Sequence, residues 1–432
     1  MTSNIRFSAV QRHSSPSSCA FSPGSSLYAA AFDDHIIVRF TEDMQPATHF
    51  VCGLGQQAIP EGIENTQIKH LTWRFDSKYL LACDPQFGVV WVFAVTDASR
   101  EPRAVIRAGV EGFARCEWSG TGTEVLCFSD NGLRITIYSL TDGETTYIQG
   151  HKSAIGFLCL KHNRYSRHFV VPVWKMYALY VYSPLGPLLG TFNAASSSFT
   201  GQDPGLGVRC ISWGPGGNWI AVGGWDGKIA IEFHGCLERA NGLDESRTGN
   251  RIRGLKPNLT KRNPGIGISQ IEWNVDGSCF AVRSEAIPTV VQIYSFLSDS
   301  VTSLPPSVNF IAAILFERSV RQIKWNPKRA RKLAMCTLAD DARQPSGGAG
   351  IYFWDGEWEE EDSFADTEGA KQGVVEALIL PTPTFNTYDL RWSPDGNALS
   401  IIDKNQFCVL REMETTPEET PTVSPELSLI QE

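Results

Sequence analysis

One compositional phrase recurs along this chain, and it constrains the fold more than any other feature. It runs apolar residue, polar residue, aromatic anchor, turn, apolar run. The clearest copy is Val208-Arg-Cys-Ile-Ser-Trp213-Gly-Pro-Gly-Gly217-Asn-Trp-Ile-Ala-Val222-Gly-Gly-Trp-Asp226-Gly-Lys-Ile-Ala-Ile231. Ile211 and Trp213 alternate with polar neighbours, the pattern of a half-buried strand. Gly214-Pro-Gly-Gly217 supplies a tight turn. Trp219 to Val222 is an apolar run of the length a buried strand needs. Asp226-Gly227 is a strong hairpin signal, because a type I′ turn needs positive φ at both central positions. Ile229 and Ile231 alternate in a third strand.

Further copies start at Leu71, Cys116, Ile271, Ile323 and Leu390, with weaker ones at Cys19 and Phe157. The aligned anchors are Phe21, Trp73, Trp118, Leu160, Trp213, Trp273, Trp325 and Trp392. They are spaced by 52, 45, 42, 53, 60, 52 and 67 residues. A period near ~40–45 residues, lengthened by insertions and holding four strands per unit, is the mark of a β-propeller. A lone four-stranded sheet cannot bury both faces; radial packing covers them with neighbouring sheets. The anchors therefore read as core between blades. Third strands are expected at Ile36–Phe40, Val89–Phe93, Leu133–Tyr138, Ala178–Tyr182, Ile229–Ile231, Val290–Tyr294, Ile351–Trp354 and Phe407–Leu410. The fold class expected is all-β, one propeller of eight blades, with seven and one irregular unit as the alternative. The last unit lacks a fourth strand of its own, and Asn4 to Val10 is the segment available to supply it and close the ring.

The propeller is expected over 1–411. A basic insertion occupies 241–265, an acidic loop 356–369, and a Thr/Pro-rich acidic tail 412–432. Net charge is −9. Glu357 to Glu368 holds seven acids and Glu412 to Glu432 six, with no base in either, so the remainder carries +4. That balance argues against an overall nucleic-acid binder and allows a local basic face. The 11 cysteines are scattered without a Cys-x-x-Cys pair. Cys210, Cys279 and Cys336 read as small buried residues in strands, in a reducing compartment. Met1 to Phe7 has no apolar signal-peptide core, and the apolar stretch from Tyr79 to Val95 is interrupted by Asp84, Pro85 and Gln86, so neither export nor a membrane span is expected. A cytosolic or nuclear location follows as the expectation.

No catalytic constellation is visible: no nucleophile elbow, zinc-protease motif or Walker loop. Trp118-Ser-Gly-Thr-Gly122 lies in a strand-to-strand turn, which does not make a phosphate cradle. Cys159-x-x-His162 with His168 lacks a fourth metal ligand. The His of Gly150-His151 reads as a turn buttress, and Asp34, Asp130, Asp226 and Asp403 share hairpin positions that turn chemistry explains. No enzyme activity, cofactor or metal is therefore expected. The basic insertion concentrates Arg247, Arg251, Arg253, Lys256, Lys261 and Arg262 with no acid between them. Such a run is a solvated loop or an electrostatic contact for an acidic partner, such as tubulin tails or an acidic coiled coil. Thr416-Pro417, Thr420-Pro421 and Ser424-Pro425 are sites for proline-directed phosphorylation.

Two stretches carry a more specific resemblance. Gly132-Leu-Arg-Ile-Thr-Ile-Tyr138, with Thr146 to Ile148, and Asn263-Pro-Gly-Ile-Gly-Ile268, leading to Trp273 and Ala286-Ile-Pro288, resemble segments of one WD-repeat family. Trp354-Asp355 preserves the dipeptide that names such repeats. The family is that of the WD-repeat microtubule-anchoring proteins of fungal spindle pole bodies and animal centrosomes, whose animal member is encoded antisense to a p53-family tumour-suppressor gene. The resemblance covers about Asn4 to Arg411 and is to the fungal type. It implies a non-enzymatic scaffold at the microtubule-organising centre. Its partners would be a coiled-coil anchoring protein, a minus-end-directed kinesin and microtubules, with no nucleic acid and no membrane. The alternatives are a ubiquitin-ligase substrate receptor, a ribosome-associated scaffold, or an enzyme with charged groups converging on the propeller channel.

Overall fold

Antiparallel strands joined by tight turns pair with their neighbours in sequence, and in the computed structural model the described strands do so except near the N-terminus. It describes residues 4–53, 66–107, 112–129, 134–149, 161–162, 169–173, 178–183, 185–193, 208–225, 227, 229–233, 265–297, 307–338, 350–356, 375–378, 380 and 385–413. These residues hold one short 3-10 turn, Pro16–Ser18, and otherwise strands. The strands form eight antiparallel sheets, numbered here in chain order. Seven begin with a strand that ends on an expected anchor: Cys19–Phe21, His70–Trp73, Arg115–Trp118, Val208–Trp213, Ile268–Trp273, Val320–Trp325 and Asp389–Trp392. The fourth begins with Lys161–His162, and Leu160 lies outside the described residues. Every third strand falls where expected, give or take a few residues, as in Val89–Ala94 and Ala178–Tyr182. The fifth sheet shows three strands among the described residues, since 234–264 lies outside them.

First strands of successive sheets lie side by side at many of the junctions, and the apolar faces interlock between sheets. Trp73, Trp91 and Phe93 of the second sheet pack on Ile36, Val38 and Phe50 of the first. The Phe50 and Phe93 rings stack at 4.8 Å. Trp273, Phe280 and Phe296 meet Ile229 and Ile231 in the same way. Tyr28 and Cys19 of the first sheet pack on Ile402 and Phe407 of the last, and the Tyr28 hydroxyl lies 2.7 Å from Ser400 Oγ. Burying one such side chain stabilises by about 1.5–3 kcal/mol, so each junction depends on several residues from both sides. Cys336 is buried as expected, whereas Cys210 and Cys279 are only half-buried, each packed against one apolar cluster.

The anchors have a polar role as well. Trp73 Nε1 donates to Ala20 O at 3.1 Å, Trp325 Nε1 to Glu272 O at 2.9 Å, and Trp392 Nε1 to Lys324 O at 3.1 Å. Each bond joins an anchor to the first strand of the preceding sheet. Trp118 is equally buried, but its Nε1 has no partner among the described residues.

In the last sheet, Asn4–Phe7 pairs antiparallel with Gln406–Met413, with Asn4 opposite Met413 and Phe7 opposite Leu410. Ser8 extends the join through its N–H to Val409 O at 2.8 Å. The strand Gln406–Met413 runs two residues past the boundary expected at 411. Backbone pairing carries it there, with Ile5 opposite Glu412 and Asn4 opposite Met413, and Glu412 also accepts from Lys332 and, at 2.6 Å, from Arg329. Of the expected acidic loop only Gly356 is described, and the tail beyond Met413 lies outside the described residues.

The described turns between first and second strands emerge at one end of the sheets, and several bond to the next. Gly24 N donates to Ser77 Oγ at 2.8 Å, Asn274 Nδ2 to Ala330 O at 3.1 Å, and Asn326 Nδ2 to Gly396 O at 2.8 Å. Asp395 N donates to Ser25 Oγ at 2.9 Å, joining the last sheet to the first.

Candidate partner-binding cavity

At the opposite end, first strands begin and second strands finish. There the sixth, seventh and eighth sheets border an open cavity of about 660 Å3, with Arg283, Glu285, Val320, Arg321, Tyr388 and Asp389 in its wall. Local backbone irregularity places the charged groups. In the seventh sheet Val320 pairs with Thr337 and Gln322 with Cys336, so Arg321 is the extra residue of a β-bulge. In the fifth sheet Arg209 holds the same position between Val208 and Cys210, and Ser269 holds it in the sixth. A bulge re-aims the side chain it inserts and is common beside functional sites.

The wall carries both signs, but the two signs differ in how they are engaged. Glu285 accepts from Arg209 Nη2 at 3.0 Å, and the Arg209 guanidinium lies 4.7 Å over the Trp225 ring. Asp389 accepts from Arg391 Nε at 2.9 Å and from Gln322 Nε2 at 3.1 Å. The cations contact neutral groups instead. Arg321 lies 3.5 Å over the Tyr388 ring and donates Nε to Tyr388 O at 3.1 Å. Arg283 Nη1 donates to Val320 O at 3.2 Å, and its buried Nε has no partner among the described residues. Burial lowers the Arg283 pKa, with Glu285 opposing. Among the described residues neither Arg283 nor Arg321 forms an ion pair.

One of the two stretches singled out for resemblance, from Gly265 to Pro288, reaches this place. Gly265 and Pro288 both line the cavity, Glu285 N donates to Gly267 O at 2.9 Å, and Val320 N donates to Pro288 O at 2.7 Å. A Cβ on Gly267 would lie 3.2 Å from Gly224 O and from Trp225 Cα, so the close strand approach favours glycine. The six basic residues from Arg247 to Arg262 lie outside the described residues. Their segment lies in the chain between Phe233, the last described residue of the fifth sheet, and Gly265, on the cavity wall.

The first strands also bring together charges that their sequence left unremarked. Lys324 Nζ pairs with Glu272 at 2.5 Å across two sheets, and Arg115 with Glu117 at 3.6 Å within one strand. Each pair is internally balanced, which is how charge is accommodated where first strands adjoin. His70 Nε2 is buried without a partner among the described residues, and burial lowers its pKa from 6.5 to about 4; nearby Glu117 opposes and Arg115 adds to the shift. Two turn acids tie turns to incoming chain: Asp84 accepts from Gln67 N at 2.7 Å and Asp403 from Asn386 N at 3.2 Å. Asp130 and Asp226 lie outside the described residues, as do Cys159 and His168.

This fold is an all-β propeller of the WD40 type. The family model "WD domain, G-beta repeat" matches residues 194–231. The mouse WD repeat-containing protein WRAP73 is 20% identical, over 90% of this chain and 92% of its own length. Among solved structures, the C-terminal WD40 domain of Sif2 superposes with a TM-score of 0.61 at 12% identity, covering 94% of this chain and 98% of that one. The β-propeller domain of Myceliophteria thermophila Cps50 (Swd1) reaches a TM-score of 0.50 at 12% identity, covering 95% and 100%.

Proposed function

We propose that this chain is a non-enzymatic scaffold that anchors microtubule minus ends at the spindle pole body, in concert with a coiled-coil anchoring protein and a minus-end-directed kinesin. The observation that carries the reading is the extent of similarity to mouse WRAP73, which spans nine-tenths of both chains. The convergence of Gly265, Gly267 and Pro288 at one cavity supports it, since these residues belong to the segments that bear the family resemblance. The six cations of 247–262 supply a contact for an acidic surface, with tubulin tails as one such surface. Their replacement by Gln weakens co-sedimentation of the assembled complex with microtubules. Fluorescent tagging in dividing cells tests the reading: a spot confined to the spindle poles is expected, and a diffuse or ribosome-like distribution would refute it.

The architectural part of the reading is a closed ring of eight blades. It is supported by the eight sheets, by the apolar cluster joining the last to the first, and by the pairing of Asn4–Phe7 with Gln406–Met413. Removing residues 1–10 strips the outer strand from the last sheet and uncovers Leu410 and its neighbours. A fall in melting temperature of more than about 10 °C is expected. An unchanged melting curve would refute closure by this strand.

A further inference from the structure

We infer that the cavity between the sixth, seventh and eighth sheets binds the carboxylate side chain of an acidic, partly apolar peptide segment, with Arg321 and Arg283 as its ligands. The inference rests on the reading of the chain as an interaction scaffold, and not on where in the cell that scaffold works. Three observations carry it. First, the two arginines share one cavity wall and are linked through its backbone, since Arg283 donates to the carbonyl of Val320, the residue before Arg321. Second, the carboxylates beside them are already engaged, Glu285 by Arg209 and Asp389 by Arg391. An incoming anion therefore displaces no internal ion pair. Third, a bulge inserts Arg321 into a strand that would otherwise alternate regularly, and its guanidinium carbon lies 3.5 Å over the centre of the Tyr388 ring. A guanidinium stacked by one face still offers its edge to a carboxylate in the fork geometry that arginine favours.

The remaining wall selects among anions. Pro288, Val320 and Leu338 give it an apolar side, which suits a hydrophobic neighbour of the acidic residue. Glu285 and Asp389 repel a second negative charge more than a first, so a carboxylate suits the site better than a dianionic phosphate. The volume of about 660 Å3 holds a few side chains and not a folded domain.

The test uses the full chain and a fluorescein-labelled octapeptide of alternating Glu and Leu, with the Gln–Leu peptide and a phosphoserine–Leu peptide as comparison probes. Anisotropy titrations at low salt are expected to show the Glu peptide binding at least ~10-fold more tightly than the Gln peptide. Arg321→Gln is expected to abolish that preference. Arg283 is more deeply buried, so Arg321→Gln is the principal variant, and its melting curve shows whether the protein remains folded. Arg103→Gln, on the exposed outer strand of the second sheet, is expected to bind as the unaltered protein does. Equal binding of the Glu and Gln peptides, stronger binding of the phosphoserine peptide, or undiminished binding by a folded Arg321→Gln variant would each overturn the inference. A tagged protein that reaches the spindle pole but ignores the peptide sinks only the cavity; one that binds the peptide but misses the pole sinks only the cellular reading.

Discussion

Both ends of the sheets bond to the next sheet, but they differ in the charge those bonds leave without an ion-pair partner among the described residues. At the end formed by the first turns, polar groups bond to the next sheet. Asn326 is fully buried, donates to Gly396 O at 2.8 Å, and accepts from Lys328 N at 2.9 Å and Arg329 N at 3.0 Å. At the cavity end, Arg283 and Arg321 rest on an aromatic face and on carbonyls, without an ion-pair partner among the described residues. The first end holds neighbouring sheets in register. The second keeps charge available beside Gly265, the last residue of the basic insertion in the chain. The difference separates structural polar residues from recognition ones by what they already bond, not by their type.

Four substitutions sharpen or break that comparison, from the largest expected effect to the smallest. Asn326→Leu leaves the Gly396 carbonyl and two N–H groups without their bonds and is expected to lower the unfolding free energy by about 3 kcal/mol. Urea denaturation measures it, and a loss below ~1 kcal/mol would remove the structural role of the turn end. His70 begins its strand at the cavity end and resists protonation when folded, with its pKa lowered to about 4 from 6.5. Between these values the unfolded chain binds the extra proton, so stability falls as pH drops from 6.5 to 4, by about 3 kcal/mol. His70→Gln is expected to flatten that slope relative to the unaltered protein, and identical pH profiles would contradict the buried state of the ring.

The anchors offer a smaller, internally controlled effect. Trp325→Phe loses the bond to Glu272 O, whereas Trp118→Phe loses an N–H that has no partner among the described residues. Both lose similar apolar volume, so Trp325→Phe is expected to be the more destabilising by about 1 kcal/mol in paired thermal melts. Equal losses would show that the anchors act through packing alone. Arg321→Gln is expected to change stability by less than about 0.5 kcal/mol, since its contacts are at the surface of the cavity. A larger loss would move Arg321 from recognition to structure.

Much of this was legible in the residues. Trp73, Trp118, Trp273 and Trp325 end first strands and are buried, and Asn4–Phe7 does pair with the last sheet. Alternation and turn chemistry are local properties, so spacing alone exposes them. The cavity was not legible as such, because it joins residues as far apart as Arg283, Arg321 and Tyr388. Its local component was nevertheless present: Val208-x-x-Ile211-x-Trp213, Ile268-x-x-Ile271-x-Trp273 and Val320-x-x-Ile323-x-Trp325 each carry one residue too many between their first two apolar positions. That offset is the bulge. The bonds from anchor Trp Nε1 to the preceding sheet were equally out of reach, since they depend on how one sheet is rotated against the next.

Cross-linking mass spectrometry of the tagged protein, purified with its partners from dividing cells by an amine-reactive reagent, tests most directly whether the cavity end is the recognition face. Lys69 and Lys404 lie at that end, and Lys256 and Lys261 belong to the insertion that ends in the chain at Gly265, on the cavity wall; Lys78 and Lys328 are exposed on the opposite turns. Partner cross-links concentrated on Lys69, Lys256, Lys261 and Lys404 are expected. Cross-links concentrated on Lys78 and Lys328 would contradict the assignment.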